Sequence, residues 1–266
     1  DRSVSRGLGD VYKRQYPHFM LKEIYEQPKT IVDCIRGRIN PETGEVKLSG
    51  VIDNRRKFLQ ARRIIFVACG TSWHAALIGE HLIENICRIP VEVEYASEFR
   101  YRDPLLAPDD LVVIISQSGE TADTLAALKL ANSIGADTLA IVNVVGSSIA
   151  REAKMVMYTL AGPEISVCST KAYMVQAAFM YLLAFRVAYA RNAIDEEQCR
   201  QLISELSQIP SKVQKCVDDQ TQYQKVASKL ISADSLLYIG RGLDYALSME
   251  AVSYTHLRAH ETLSDL

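Results

Sequence analysis

The amino-acid sequence predicts an α/β fold: a doubly wound, parallel five-stranded sheet flanked by helices, followed by a helical segment and the start of a second unit of the same kind. Three observations predict it. Short runs such as Leu111–Ile115 (LVVII) are apolar at every position, as strands buried on both faces must be. Stretches of helical periodicity alternate with those runs, the pattern of helices that cross between parallel strands. Glycine and hydroxyl residues cluster where strand gives way to helix, as at Cys69-Gly70-Thr71-Ser72.

Taken in order, residues 20–60 read as a helical lead-in with a turn at Asn40–Gly44. Ile64–Ala68 (IIFVA) is the first strand of the sheet, broken at Gly70, and helical periodicity runs from about Trp73 to Cys87. Val91–Tyr95, opened by Pro90, is the second strand, with a short helix after it. Leu111–Ile115 is the third, and Thr121–Ile134 follows as an amphipathic helix closed by Gly135 in a C-cap position. Thr138–Val142 and Met155–Leu160 supply the fourth and fifth strands, so the doubly wound α/β domain occupies about 45–162. Residues 169–232 read as mostly helical, with a long apolar helix first and a break expected at Pro210. Ser235–Ile239 (SLLYI), before Gly240-Arg241-Gly242, reads as the first strand of a second α/β unit, with too few residues after it to complete a sheet.

A length of 266 residues fits one or two domains. Thirty basic against thirty-two acidic residues give a net charge of −2, which argues against a nucleic-acid partner. At 48% hydrophobic and 23% charged the chain is globular, not disordered. The six cysteines are widely spaced without a CxxC pair, which fits reduced thiols in a cytoplasmic protein and no structural zinc. Residues 1–15 lack the apolar core of a signal peptide. Ala172–Ala190 is nearly long enough to span a bilayer, but Gln176 and Arg186 would lie in hydrocarbon, so a buried helix and no membrane partner are expected.

In an open α/β sheet, ligands bind beyond the carboxyl ends of the strands, where helix N-termini offer free N–H groups. Three turns place hydroxyls there: Thr71-Ser72, the run Ser116-Gln117-Ser118-Gly119-Glu120-Thr121, and Ser169-Thr170-Lys171. Helix capping explains any one of them. Capping needs a single such residue, however, and Ser116, Gln117, Ser118 and Thr121 together exceed that need. A phosphate is well matched by hydroxyls plus backbone amides and requires little lysine. The run is neither a Walker A loop nor the GxGxxG fingerprint, so a mononucleotide or sugar phosphate is the favoured ligand. Gly240-Arg241-Gly242 begins like GxGxxG, but Tyr245 stands in place of the third glycine. His256 and His260 have metal-ligand spacing without an evident third ligand, and His74 and His81 read as packing or surface residues. Glu164 is open to a ligand role or a surface-loop role, and Glu250 to a place in the same cleft. Lys171 is expected to act on the pocket electrostatically.

The segments CGTSWHA (69–75), ASEFRYR (96–102), SQSGETADTLAALK (116–129), NVVGSSIARE (143–152) and AGPEISVCSTKAY (161–173), with the lead-in HFMLKEIYEQP (18–28), resemble the sugar-isomerase half of glutamine–fructose-6-phosphate amidotransferases. The likeness runs collinearly over about 16–250. It implies tandem sugar isomerase domains, and a substrate site of Thr71, Ser72, Ser116, Gln117, Ser118, Thr121, Val167 and Ser169 with the 116–121 turn on the phosphate. It implies conversion of fructose 6-phosphate and glutamine to glucosamine 6-phosphate, on the way to UDP-N-acetylglucosamine. It also implies a glutaminase domain as partner, a homodimer, and no metal or organic cofactor.

By that resemblance residues 1–15 and 252–266 are expected to be non-native tails, 16–44 a lead-in, 45–192 the first isomerase domain with its long helix, and 193–251 a helical connection with a truncated second domain. The family's catalytic lysine and glutamate have no counterpart here, so no catalytic residue is assigned, and binding without turnover is expected. A stand-alone sugar-phosphate regulatory module and a simple phosphosugar isomerase are the competing readings. Against the first, residues 16–60 show no basic recognition helix; against the second stands the restart at 235–242. An unfinished second unit should leave Leu236–Ile239 uncovered and the long helix partly bare.

Overall fold

Segments that are apolar at every position become central parallel strands, because only a strand covered by helices on both faces can hide all of its side chains. The computed structural model describes residues 16–253, Val167 excepted. The lead-in comprises α1 (Phe19–Ile35), an antiparallel hairpin of β1 (Ile39–Asn40) and β2 (Glu45–Val46), and the short helices α2 (Ser49–Asp53) and α3 (Arg55–Gln60). Next come β3 (Arg63–Ala68), α4 (Thr71–Leu82) prolonged by a π-helical turn at Ile83–Cys87, β4 (Val91–Tyr95), α5 (Ala96–Phe99) and β5 (Asp110–Ser116). They are followed by α6 (Ala122–Ile134), β6 (Asp137–Val142), α7 (Ser148–Glu152) and β7 (Met155–Tyr158). Four helices close the described chain: α8 (Lys171–Ala190), α9 (Glu196–Asp218), α10 (Gln220–Leu230) and α11 (Leu243–Ser253).

The five-stranded sheet has the order β4-β3-β5-β6-β7, and every pairing is parallel. From β3 the chain steps outward to β4, then crosses back to β5 on the other side of β3. That reversal opens a crevice beyond the carboxyl ends of β3 and β5, the place where such sheets bind ligands.

Alternate side chains of each strand enter separate cores. Ile64, Phe66, Leu111, Val113, Ile115, Leu139 and Ile141 face the layer of α1, α4, α8 and α9. Ile65, Val67, Val112, Ile114, Ala140 and Val142 face α6 and its neighbours. Burial of each large side chain contributes about 1.5–3 kcal/mol.

The long apolar helix is α8, the one described helix whose length and composition would let it cross a membrane; 72% of its most apolar 18-residue stretch is buried within the fold. It packs between α1 and α4, so the expectation of a partly bare helix does not hold. Its polar Gln176 is buried because the amide donates to Ser72 Oγ at 3.0 Å.

Three further expectations need correction. The helix α9 runs unbroken through Pro210: one missing N–H does not end a 23-residue helix anchored by Cys199, Ile203 and Leu206 and opened by an Asp195/Gln198 capping box. The fifth strand stops at Tyr158, since Leu160 takes a positive φ of 67° and leaves the extended conformation. Residues 235–239 form no strand and pair with neither edge of the sheet, β4 or β7.

Segment 230–239 does carry uncovered apolar side chains: Ile231 is 86%, Leu237 93% and Ile239 91% exposed. Clustered exposed apolar surface drives association. The chain is expected to self-associate at tens of micromolar, and Leu237→Lys with Ile239→Lys to suppress this, both read by light scattering. A monodisperse unmutated monomer would contradict the expectation.

Candidate functional site

A cleft of about 380 Å³ lies at the switch point, lined by the turns after β3 and β5 and by the loop before α8. Ser116 ends β5 as a buried residue, and the chain then turns sharply at Gly119. Gly119 Nα–H donates to Ser116 Oγ at 3.1 Å, while the Ser116 and Thr121 hydroxyls lie 3.3 Å apart. Ser118 Oγ accepts the Glu120 N–H at 3.2 Å. The turn is fixed to the next crossover by Gln117 O, which accepts from Asn143 N at 3.2 Å, and Gly119 O, which accepts from Ile149 N at 3.0 Å. Glu120 Oε1 accepts the Ser148 N–H at 2.7 Å, and hydrogen bonds from the Ser148 hydroxyl and backbone hold its carboxyl below the usual range.

Helix capping does not account for the hydroxyls. Gly70, Thr121 and Thr170 occupy the N-cap positions of α4, α6 and α8, and none makes a side-chain cap bond. Thr71 Oγ1 donates to Glu250 at 2.9 Å, and Ser72 Oγ accepts from Gln176. The N-terminus of α8 is capped instead by Glu164, whose Oε1 accepts the N–H groups of Thr170 (3.0 Å) and Ala172 (3.1 Å) and whose Oε2 accepts from Ser169 Oγ (2.9 Å). Glu164 is therefore both a cleft-wall residue and a cap, a pairing its position in sequence left open.

The cleft gathers Thr71, Ser72, Ser116, Gln117, Ser118, Thr121 and Ser169, together with Cys69, Thr124, Glu164 and Ser166. Of the expected site residues, Val167 lies outside the described residues, as do His256 and His260. No lysine or arginine lines the cleft among the described residues. Lys171 does not act on it as expected. Buried at 2% exposure, it is absent from the cleft lining and donates to Glu26 Oε2 at 2.7 Å. Asp123, the acidic residue of the first turn of α6, is paired with Arg100 at 2.5 Å, which tempers its charge beside the amide groups of that turn.

Beside Thr71 the structure assembles a buried group that the sequence left without partners. Glu250, on α11, accepts from Thr71 Oγ1 and is hydrogen-bonded to His74 Nδ1. Burial pushes the Tyr173 phenol up, and the nearby Glu250 charge adds to that. His74 is thus a packed, bonded residue, whereas His81 is exposed. The signal for this group is weak in sequence because Thr71 and Glu250 are 179 residues apart.

Comparison with known proteins follows the same residues. The family model described as SIS domain matches residues 57–186. The chain is 49% identical over 265 residues to a glutamine–fructose-6-phosphate aminotransferase [isomerizing] of Bacteroides thetaiotaomicron, covering 97% of this chain and 43% of that protein. Its fold matches the C-terminal domain of the glucosamine-fructose-6-phosphate aminotransferase of Francisella tularensis with a TM-score of 0.84 and 35% identity, covering 90% of this chain and 67% of the other. The chain belongs to the glutamine–fructose-6-phosphate aminotransferase family. It spans less than half the length of the curated aminotransferases it matches. A phosphosugar isomerase fold from Silicibacter pomeroyi also superimposes, with a TM-score of 0.72 at 24% identity, a likeness of fold alone. The five-stranded parallel sheet of this chain lies within the residues that the SIS domain model matches, with all five strands between Arg63 and Tyr158.

Gly119 is the most constrained residue of the turn. Its φ is +68°, and a Cβ there would overlap Ser147 Oγ and Cβ. Gly119→Ala is expected to cost more than about 1 kcal/mol of stability, from strain and overlap together. Denaturant melts would register this, and Gly119→Ala/Ser147→Gly should recover part of it. Unchanged stability in the single variant would mean the turn adopts another conformation.

Proposed function

We propose that this chain binds a hexose phosphate, fructose 6-phosphate, in the cleft between the turns after β3 and β5, as the isomerase portion of an enzyme that makes glucosamine 6-phosphate from fructose 6-phosphate and glutamine. The observation that carries this reading is the convergence of three hydroxyl-bearing turns, none used for helix capping, on one cleft at the sheet's switch point. The phosphate sits on the 116–121 turn, where Ser116, Ser118 and Thr121 hydroxyls and the free amides of the first turn of α6 replace cationic side chains. Thr71, Ser72, Gln117 and Ser169 lie where the sugar carbons and hydroxyls extend from it, and Val167 is assigned to the same wall by the family resemblance. The names of its relatives, which include fructose 6-phosphate and glucosamine, support this substrate and amino product. In the same reading the protein works in the cytoplasm as a homodimer with a glutaminase domain as ammonia source.

Moving a proton between C1 and C2 of the sugar requires a positioned base, and activating the ketone covalently requires a lysine amine. Of the candidate groups, Glu164 in the cleft wall is committed to three hydrogen bonds, and outside the lining Glu250 is engaged by Thr71 and His74 and Lys171 is paired with Glu26. Binding without turnover is the function proposed for the chain as it stands. Incubation with fructose 6-phosphate and ammonium is expected to yield no glucosamine 6-phosphate. Product that depends on the protein, and disappears in Ser118→Ala, would refute this.

A charge-assisted hydrogen bond from a hydroxyl to phosphate is worth about 1.5–3 kcal/mol. Ser118→Ala is therefore expected to weaken fructose 6-phosphate binding by about tenfold or more in calorimetry, with the thermal midpoint little changed because the position is partly exposed. Wild-type affinity in the variant would remove Ser118 from the site.

A further inference from the structure

One wall of the cleft is held from outside the sheet. Glu23, in the first turns of α1, is fully buried, and its Oε1 accepts the backbone N–H of Ile165 at 2.7 Å and of Ser166 at 3.2 Å. Its Oε2 is buried with no hydrogen-bond partner among the described residues. Three residues on, along the same face of α1, Glu26 accepts from the buried Lys171 at the head of α8. Glu23 thus holds the chain just before the segment that Glu164 ties to Ser169, Thr170 and Ala172, and Glu26 holds Lys171 within it.

A buried carboxylate is unfavourable unless its bonds are needed, and an apolar residue would pack α1 at lower cost. Burial indeed pushes the Glu23 carboxyl up, against the two backbone N–H groups that favour its charge. What it secures is local: the amides of two residues on the cleft rim, one of which, Ser166, lines the cleft together with Glu164. That rim segment belongs to no helix or strand, so no backbone ladder would otherwise fix it.

We propose that Glu23 is a positioning residue: by holding the Ile165 and Ser166 amides it sets the rim of the cleft, so that the placement of α1 reaches a site 142 residues away in the chain. The inference rests on the hexose-phosphate reading for its ligand, but the rim itself can be observed without ligand.

The test uses the full chain with Glu23→Gln, Glu23→Asp and Glu23→Ala. Glutamine keeps the length and one carbonyl acceptor; aspartate keeps the charge but is one methylene too short. Amide hydrogen exchange at 164–166 is expected to quicken by about tenfold or more in the Asp and Ala variants, with β5 protected as in the unmutated chain. Fructose 6-phosphate affinity should fall about fivefold or more in the same two variants, while Gln stays close to the unmutated chain on both measures. Rim exchange that is unchanged in Asp and Ala, or an Asp variant that keeps the rim while Gln loses it, would overturn the proposal. Should Ala lose β5 protection and so fail to fold, the Asp and Gln pair decides. Absence of binding by the unmutated chain would defeat the ligand reading, and the exchange results would still decide the role of Glu23.

Discussion

Every residue of β5, from Asp110 to Ser116, is buried, and its inward residues alternate between two cores. A strand so enclosed can present polar groups only at its ends. At its carboxyl end the buried Ser116 begins a turn whose shape depends on Gly119, and α6 then departs with its amide groups facing the same side. The reversal of strand order between β3 and β5 sets the Thr71-Ser72 turn opposite. The cleft is thus a consequence of how an apolar central strand must end.

Among the described residues no cationic side chain lines that cleft, and Glu164 is its one acidic side chain. Lys171 is drawn into the α1 contact by Glu26, Asp123 is paired with Arg100, and Glu164 is committed to the head of α8. In the reading proposed above, hydroxyls and backbone dipoles are what meets the anion. α8 serves both sides of this arrangement: its apolar length fills the core between α1 and α4, and its first turn carries the bonds from Glu164.

Much of this was legible in the sequence, for physical reasons specific to each segment. Uninterrupted apolar runs such as 111–115 admit no reading but a strand covered on both faces, and Gly135 after a periodic stretch marks a helix end that the structure places at Ile134. The hairpin at 39–46 was missed because two-residue strands are too short for any period to register. Pro210 misled because a proline's local penalty was outweighed by the packing of the helix around it. Ser235–Ile239 has strand composition without a strand's partner, and composition alone cannot supply one. The site hydroxyls were visible as a local cluster, whereas Glu23 and Glu250 reach it across 142 and 179 residues and leave no periodic trace.

The phosphate position can be observed directly by following backbone amide resonances of the unmutated chain as fructose 6-phosphate is added. Saturable shifts concentrated in Ser116–Thr121 and the first turn of α6, and reproduced in part by inorganic phosphate, are expected. Shifts that spare this turn, or centre on another part of the sheet at saturation, would contradict the placement of the phosphate on which the rest depends.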